Sequence, residues 1–399
     1  MTDAAADWCD EYLPELYDPA MFDEEETSEA VWEAVEKLAA DTVLEYIDDA
    51  TEREELSDEI TEAARDWFRA HHDLVLESIT AAPPTALLSR PQIAQHSADW
   101  YAQRSQRLTA SEFSQILDGR RAALMRTKLF PSSTDEVRTR APVGIAQPDG
   151  ELPPTTWGHR FERLTRQIYE QEIAGPGCVC DTLGRFQHVT YPWLSASPDG
   201  VVLSGPVAGR LVEIKSPKSR RPGEFVPNDY YAQMQIQMEV CDVDAVDFIE
   251  AQFAQRPLRL AAFGDDPLPA AAEDGPAIAA ARWKGRIQVW GHPEDPSSWC
   301  YRYTAPVEDL EDATWDDSEP EPAAPAILLE DSVWWLTGWY PRTVLRNRVW
   351  WEETAWPAAA QFWAELESQR GSCSDHMLTI TDADTIQLVG GSGGWAGRN

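Results

Sequence analysis

Ser197-Pro198-Asp199-Gly200-Val201-Val202-Leu203, the turn region Ser204-Gly205-Pro206-Val207-Ala208-Gly209 and then Arg210-Leu211-Val212-Glu213-Ile214-Lys215 form the stretch on which the fold reading rests. Two short apolar runs flank a Gly- and Pro-rich segment, the pattern of a β-hairpin. A hairpin symmetric about Pro206 sets residues whose numbers sum to 412 opposite one another, so Asp199 faces Glu213. Opposed side chains share a sheet face. Alternation along the strand puts Lys215 on that face and turns Ile214 away.

Two carboxylates that face each other repel unless a cation lies between them, and a hard ion such as Mg²⁺ takes carboxylate, carbonyl and water oxygens. Such an ion can acidify a bound water and shield charge on a phosphoryl oxygen. An ammonium two residues past the second carboxylate can hold or deprotonate that water. The set is the chemistry of phosphodiester hydrolysis. Pro-Asp-Gly alone is a common turn and Glu-x-Lys alone a common exposed strand pair; their combination with hairpin register is far more specific. Lysine is also scarce: Lys37, Lys128, Lys215, Lys218 and Lys284 are all there are.

Working outward, 399 residues with 43% hydrophobic content describe a globular chain of one large or two ordinary domains. Neither a secretory start nor an apolar run of about 20 residues is present, so the expectation is a soluble, intracellular protein with no membrane association. Six scattered cysteines and seven histidines show no zinc spacing, which argues against a zinc enzyme. The formal charge of −36 seems to exclude nucleic acid as a partner, but it is unevenly placed. Residues 1–80 hold 26 Asp and Glu against 4 Lys and Arg, whereas residues 99–261 hold 20 against 19.

Helical spacing at Val31, Val35, Leu38 and Val43 to Ile47, then at Ile60, Ala64 and Phe68, predicts an acidic helical N-terminal extension over 1–90. It is either an accessory domain or a docking surface for a basic partner. A core at 97–260 mixes helical patterns (Thr109 to Leu117; Phe161, Leu164, Ile168; Tyr230 to Val240) with strands (Thr182 to Thr190, Val201 to Leu203, Leu211 to Ile214). The fold class is α/β (α+β): a central mixed sheet flanked by helices. Residues 261–370 form a Trp-rich C-terminal part packed on that core, its tryptophans serving packing or base stacking. A Gly-rich tail, 371–399, reads as flexible.

Four ordered patches resemble the lambda exonuclease or YqaJ-like viral recombinase family of the PD-(D/E)XK nuclease superfamily, which has a restriction-endonuclease-like core. They are Trp100, Arg104 and Thr109-Ala110-Ser111-Glu112; Trp157-Gly158-His159-Arg160-Phe161-Glu162; Ser197 through Lys215; and Tyr230-Tyr231-Ala232-Gln233-Met234-Gln235. The resemblance implies Mg²⁺ or Mn²⁺ held by Asp199, Glu213, the Ile214 carbonyl and Glu162, with Lys215 and Gln233 placing or activating water. It further implies a 5′-phosphate pocket of Arg104, Ser111 and Ser197. Rival readings stay open: Glu162 paired with Arg166, Ser111 as a helix cap, Arg104 as a surface charge, Gln233 and Gln237 as polar surface.

By that resemblance the activity is a metal-dependent deoxyribonuclease, a 5′-to-3′ exonuclease acting on double-stranded DNA ends in recombination, repair or viral genome processing. The alternatives are an endonuclease of structure-selective or restriction type, and a non-catalytic scaffold recruiting a recombination partner such as a single-strand annealing protein. Compact members of the family form a ring-shaped trimer, which leaves a homo-oligomer open, and a virus is the natural source by resemblance.

Overall fold

The structure is a computed structural model that describes residues 3–13, 35–40, 42, 44, 47, 49–79, 81–95, 97–130, 143–147, 149–222, 226–261, 274–316 and 325–387. The expected mixed α/β architecture is present as two sheets with helices between and around them. A small sheet has the order β1-β4-β3, from β1 (Leu108–Thr109), β3 (Phe186–Gln187) and β4 (Leu194–Ala196). A larger one has the order β2-β5-β6-β7-β10-β8-β9. Its strands are β2 (Val179–Cys180), β5 (Gly200–Val202), β6 (Leu211–Lys215), β7 (Ala245–Leu260), β8 (Lys284–His292), β9 (Asp295–Tyr303) and β10 (Ile327–Leu345).

The hairpin has the expected register: Gly200 pairs with Val212 and Val201 with Leu211. Its turn depends on Gly205 and Gly209, both at positive φ (94° and 91°). A Cβ on Gly209 would also stand 2.7 Å from the Ala82 carbonyl oxygen. From β6 the chain crosses through a helix, Asn228–Cys241, to β7, which runs parallel to β6, the usual connection for parallel neighbours.

Among the helices, α1 (Asp3–Tyr12) and α2 (Ala50–Ser78) precede α3 (Ala98–Ala102), α4 (Arg121–Leu129), α5 (Pro154–Tyr169), α6 (Asn228–Cys241) and α7 (Trp356–Gln387). In α5 a proline starts the helix, and Trp157, Phe161, Leu164 and Ile168 form a stripe packed on Phe253, Ile287 and Trp334. By contrast α6 is buried nearly all round, because it lies among Leu194 and Phe186 of the small sheet and Leu211 and Phe248 of the large one. Strand alternation then decides the sides of β6. Leu211 joins the core shared with α6, whereas Val212 and Ile214 join Tyr169 and Ile249 in the core beside α5.

Near the N-terminus, Trp8, Val35, Ala39, Ile60, Ala64 and Phe68 make a core of their own. Val75, Leu76 and Ile79, at the end of α2, pack on Ala245 and Leu345 of the large sheet. Val31 and Val43 lie outside the described residues, as do 388–399; residues 371–387 continue α7 as helix.

Three local expectations are corrected. Thr109 to Leu117 is not one helix start: Thr109 and Glu112 form a reciprocal capping box around a 3₁₀ turn, Ala110–Glu112, ahead of a short helix, Ser114–Leu117. Within Thr182 to Thr190 the strand is only Phe186–Gln187, preceded by an isolated bridge from Arg185 to Ile93, since His188 Nδ1 accepts the N–H groups of Thr190 and Tyr191 and turns the chain into β4. Strand β10 enters the sheet between β7 and β8, a place the Trp-rich composition did not predict. Its register shifts at Asp331/Ser332 and Leu336/Gly338 break the two-residue alternation by which a strand is read. Among the described residues no helix is long and apolar enough to cross a membrane.

A buried ion pair locks α5 to β10. Arg160 and Glu330 are both fully buried (0% exposed), and Arg160 Nη1 and Nη2 donate to Glu330 Oε1 and Oε2 at 2.7 and 2.9 Å. The Gly144 carbonyl and Gln255 Oε1 accept further bonds from Arg160 at 2.6 and 2.9 Å. Burial works against the guanidinium's charge, but Glu330 more than offsets it and raises its pKa. Removing one partner strands a buried charge, so Arg160→Met should destabilise the protein by about 3–5 kcal/mol in urea unfolding. Arg160→Met/Glu330→Leu should recover most of that loss, and equal loss in both variants would show that packing, not charge, holds this contact.

Candidate active site

Glu213 is carried by β6 onto the face covered by α6, and it is 1% exposed. A buried carboxylate needs donors. Gln233 Nε2 donates to Glu213 Oε1 and Gln237 Nε2 to Oε2, each at 2.6 Å, and the Lys215 ammonium also donates to Oε1. Gln233 and Gln237 are one helical turn apart, so one face of α6 clamps both oxygens. Neither glutamine is surface decoration.

Asp199 sits at the other side of the hairpin mouth, where the Ile214 N–H donates to its Oδ2 at 2.8 Å. Burial, then the charge of Glu213, raises its pKa well above that of an ordinary aspartate; Glu162 adds to the effect, and Lys215 and the Ile214 amide oppose it. Burial also disfavours the Lys215 ammonium, but Glu213 and Asp199 outweigh this and raise its pKa, so it is firmly protonated. Its Nζ lies 5.1 Å from the centre of the Tyr230 ring.

Glu162 lies about 200° round α5 from the buried Arg160 and so faces away from that packed side. With Gly158, His159, Ile214, Lys215 and Tyr230 it lines a cleft of about 500 Å³. Arg166 is not its partner: Arg166 pairs with Glu170 and Asp181, at 3.4 and 3.0 Å, while Glu162 stands 3.6 Å from His159 Nδ1. Asp199, Glu213, Lys215, Gln233 and Glu162 are therefore gathered at one place. As they stand, no three Asp, Glu, His or Cys side chains among the described residues converge closely enough to enclose an ion. The donor set nonetheless suits a hard cation, because two carboxylates share a single ammonium and the charge of a third, Glu162, helps push Asp199 towards its protonated form.

Arg104, Ser111 and Ser197 are placed by the small sheet. Since β1 and β4 run parallel, with Thr109 beside Ser195, the chain segments leading to Ser111 and Ser197 leave the same end of the sheet. Ser197 Oγ accepts from Trp100 Nε1 at 3.4 Å, and the Arg104 guanidinium lies 5.7 Å from the Trp100 ring. Arg104 Nε also reaches Glu112 Oε1 at 3.4 Å, and Ser111 Oγ contacts Thr109 Oγ1 at 3.3 Å. The capping residue of this turn is Thr109, not Ser111. Glu112 is buried with Lys128, whose ammonium donates to its Oε2 at 2.7 Å and to the Arg104 carbonyl at 2.8 Å.

Sequence reasoning missed Arg185. It is buried beside Trp100, donating to the Trp100 carbonyl at 2.9 Å and to Gln103 Oε1 at 3.1 Å, with no carboxylate among these partners. Burial, then Arg107 and Arg104, pulls its guanidinium down to about 10. Also missed were Lys218 and Arg220, although Lys215-Ser216-Pro217-Lys218-Ser219-Arg220-Arg221 is the densest basic run near the site and could have flagged the cleft wall.

Half-exposed Asp199 and buried Glu213 thus flank one ammonium, and Lys215 lines the open cleft beside them. Residues 99–244 match the family described as the YqaJ-like viral recombinase domain, the family that the four patches resemble. An uncharacterized protein of Acanthamoeba polyphaga mimivirus is 27% identical over 176 residues; the alignment spans 41% of this chain and 30% of that relative. An alkaline exonuclease from Laribacter hongkongensis, also solved in complex with dAMP, superposes over 71% of this chain and 100% of its own, at 16% identity and a TM-score of 0.39. At that level the likeness bears on neither chemistry nor substrate.

Asp199 makes stability depend on pH. Its folded pKa lies above its unfolded value, so the native state keeps a proton that the unfolded chain has released, and stability falls as pH rises from about 4. Asp199→Asn keeps an acceptor for the Ile214 N–H and removes the titration. Without divalent ions its unfolding free energy should gain on that of the wild type as pH rises from acid to neutral; parallel pH profiles would refute the raised pKa.

Proposed function

We propose that the domain is a Mg²⁺- or Mn²⁺-dependent deoxyribonuclease, and that it works as a 5′-to-3′ exonuclease on double-stranded DNA ends in recombination, repair or viral genome processing. One observation carries this reading: Asp199, Glu213 and Lys215 meet at a single hairpin mouth, and Lys215 and Glu162 line the cleft that adjoins it. Asp199, Glu213, the Ile214 carbonyl and Glu162 are the ligands we assign. A divalent ion held there supplies Lewis-acid stabilisation of a phosphoryl oxygen and makes water a stronger nucleophile.

For Glu213 to ligate, Lys215 gives up Oε1, and its ammonium turns into the cleft. There it orients the attacking water and stabilises negative charge building on the phosphoryl group. A lysine held protonated by two carboxylates acts first as a cation; it becomes a base only once those carboxylates are neutralised. Gln233 and Gln237 keep Glu213 aimed throughout.

Arg104, Ser111 and Ser197 are assigned to the terminal 5′-phosphate. Supporting this is Arg185, a buried cation beside Trp100 that Arg107 and Arg104 repel and whose hydrogen bonds go to neutral oxygens. An anion relieves that repulsion, and Arg forks match phosphate oxygens. The acidic helices at the N-terminus are the surface we assign to a basic partner, for which a single-strand annealing protein is one candidate, and a homo-oligomer is compatible with the assignment.

Lys215→Ala should lower kcat on linear duplex DNA by at least about 100-fold, and because it leaves Glu213 buried without its cation it should lower the urea midpoint as well, so kcat is compared at a temperature where circular dichroism shows the variant folded. Full activity in that variant would sink the assignment. Arg104→Ala should lose activity chiefly on 5′-phosphorylated ends, and equal loss on 5′-hydroxyl ends would remove the phosphate pocket from the account. Closed circular duplex should survive; its cleavage would mark an endonuclease on this fold.

A further inference from the structure

The cations that line the cleft differ in what is left for a ligand to use. Lys218 is committed, donating to the Leu152 carbonyl at 2.7 Å and pairing with Glu151. Lys215 is committed to Glu213. Arg220 is arranged differently. One of its guanidinium nitrogens, Nη2, pairs with Glu250, and the group lies 5.7 Å from the Tyr230 ring, while its side chain stays 39% exposed along the cleft.

Glu250 is the unusual partner in this pair. It is 1% exposed, and it stands on β7 in register with Lys215 of the neighbouring parallel strand. A surface arginine held by a buried carboxylate is fixed from behind, in the way that outer partners orient the groups of a reacting site. Tyr230 lies between the two cations, with Lys215 Nζ 5.1 Å from its ring centre and Arg220 5.7 Å. Arg220 is thus pre-oriented beside the ammonium: Glu250 and Tyr230 each take one hydrogen bond from its planar fork, and the side chain stays part-exposed along the cleft.

We propose that Arg220, held by Glu250 and laid against Tyr230, binds a backbone phosphate of the strand being cut and seats that strand against Asp199, Glu213 and Lys215. The proposal rests on the nuclease reading. It adds a strand-binding residue outside the residues assigned to the metal, the water and the terminal phosphate. Glu250 is a positioning residue: it touches Arg220, not the substrate. Its burial means that Arg220 keeps one orientation at little entropic cost when the phosphate arrives.

The test measures binding of a fluorescein-labelled linear duplex by anisotropy at several salt concentrations, with Ca²⁺ in place of Mg²⁺, and KM and kcat for the same proteins in Mg²⁺. Because Arg220→Ala leaves Glu250 buried without its cation, Arg220→Ala/Glu250→Gln carries the comparison. It should bind about 10-fold more weakly, as loss of one charge-assisted contact implies. Its slope of log affinity against log salt should be shallower by about 0.7–0.9, the share of one phosphate. Its KM should rise more than its kcat falls. Arg220→Lys should restore the salt slope but only part of the affinity, since an ammonium keeps the charge and loses the fork, and Glu250→Gln should weaken binding with the slope retained. If the double variant matches wild type in affinity, slope and KM, Arg220 does not bind the strand. A wild-type protein that cuts no linear duplex would instead overturn the nuclease reading, and the salt slope would still decide whether Arg220 contacts a phosphate.

Discussion

A carboxylate carried into the covered face of a sheet has to find hydrogen-bond donors there, and Glu213 sets this requirement for the whole domain. Its position on β6 is fixed by alternation with Val212 and Ile214, which fill the core beside α5. Its oxygens are satisfied by two glutamines one turn apart on α6 and by Lys215 of its own strand. Helix α6 therefore lies where those amides can reach, and it is also the crossover that makes β6 and β7 parallel. The arrangement that satisfies Glu213 brings Asp199 opposite it and Glu250 beside Lys215.

The cost of that arrangement is concentrated at Asp199. Two carboxylates at one hairpin mouth, with a third on α5, cannot all be ionised around one ammonium without repulsion, and the raised pKa of Asp199 expresses it. Such stored repulsion is what a bound cation relieves, so binding and proton release are expected to be coupled. The Trp100 region has the opposite sign. Arg104, Arg107 and Arg185 gather there, and among the described residues Glu112 is the one carboxylate that bears on Arg185. The carboxylate cluster and the arginine cluster both adjoin the short run from Ser197 to Asp199, which joins the small sheet to the large one.

Much of this was legible in sequence where the contacts are local. The hairpin register followed from turn composition and strand length alone, because Asp199 and Glu213 are close in the chain and the Gly205 and Gly209 conformations leave little freedom. The stripe on α5 and the span of α6 followed from spacing. The role of β10 did not, since two register shifts disrupt its alternation and its partners β7 and β8 are distant in sequence. Arg185 and Glu250 were equally unreadable: a lone arginine or glutamate acquires meaning from Trp100 or Arg220, and only the fold brings those together. Gln237 lay between the two cases. Its one-turn spacing from Gln233 was visible, but not the carboxylate that both of them face.

The central claim is that Asp199, Glu213 and Lys215 hydrolyse phosphodiester bonds with a divalent ion. Its most direct measurement is release of labelled nucleotide from linear duplexes carrying defined 5′ and 3′ labels, in Mg²⁺ and in excess chelator, by wild type and Asp199→Asn. The account predicts release from the 5′-labelled end by wild type in Mg²⁺ alone, and none from Asp199→Asn. Release in chelator, or an active Asp199→Asn protein, would contradict it.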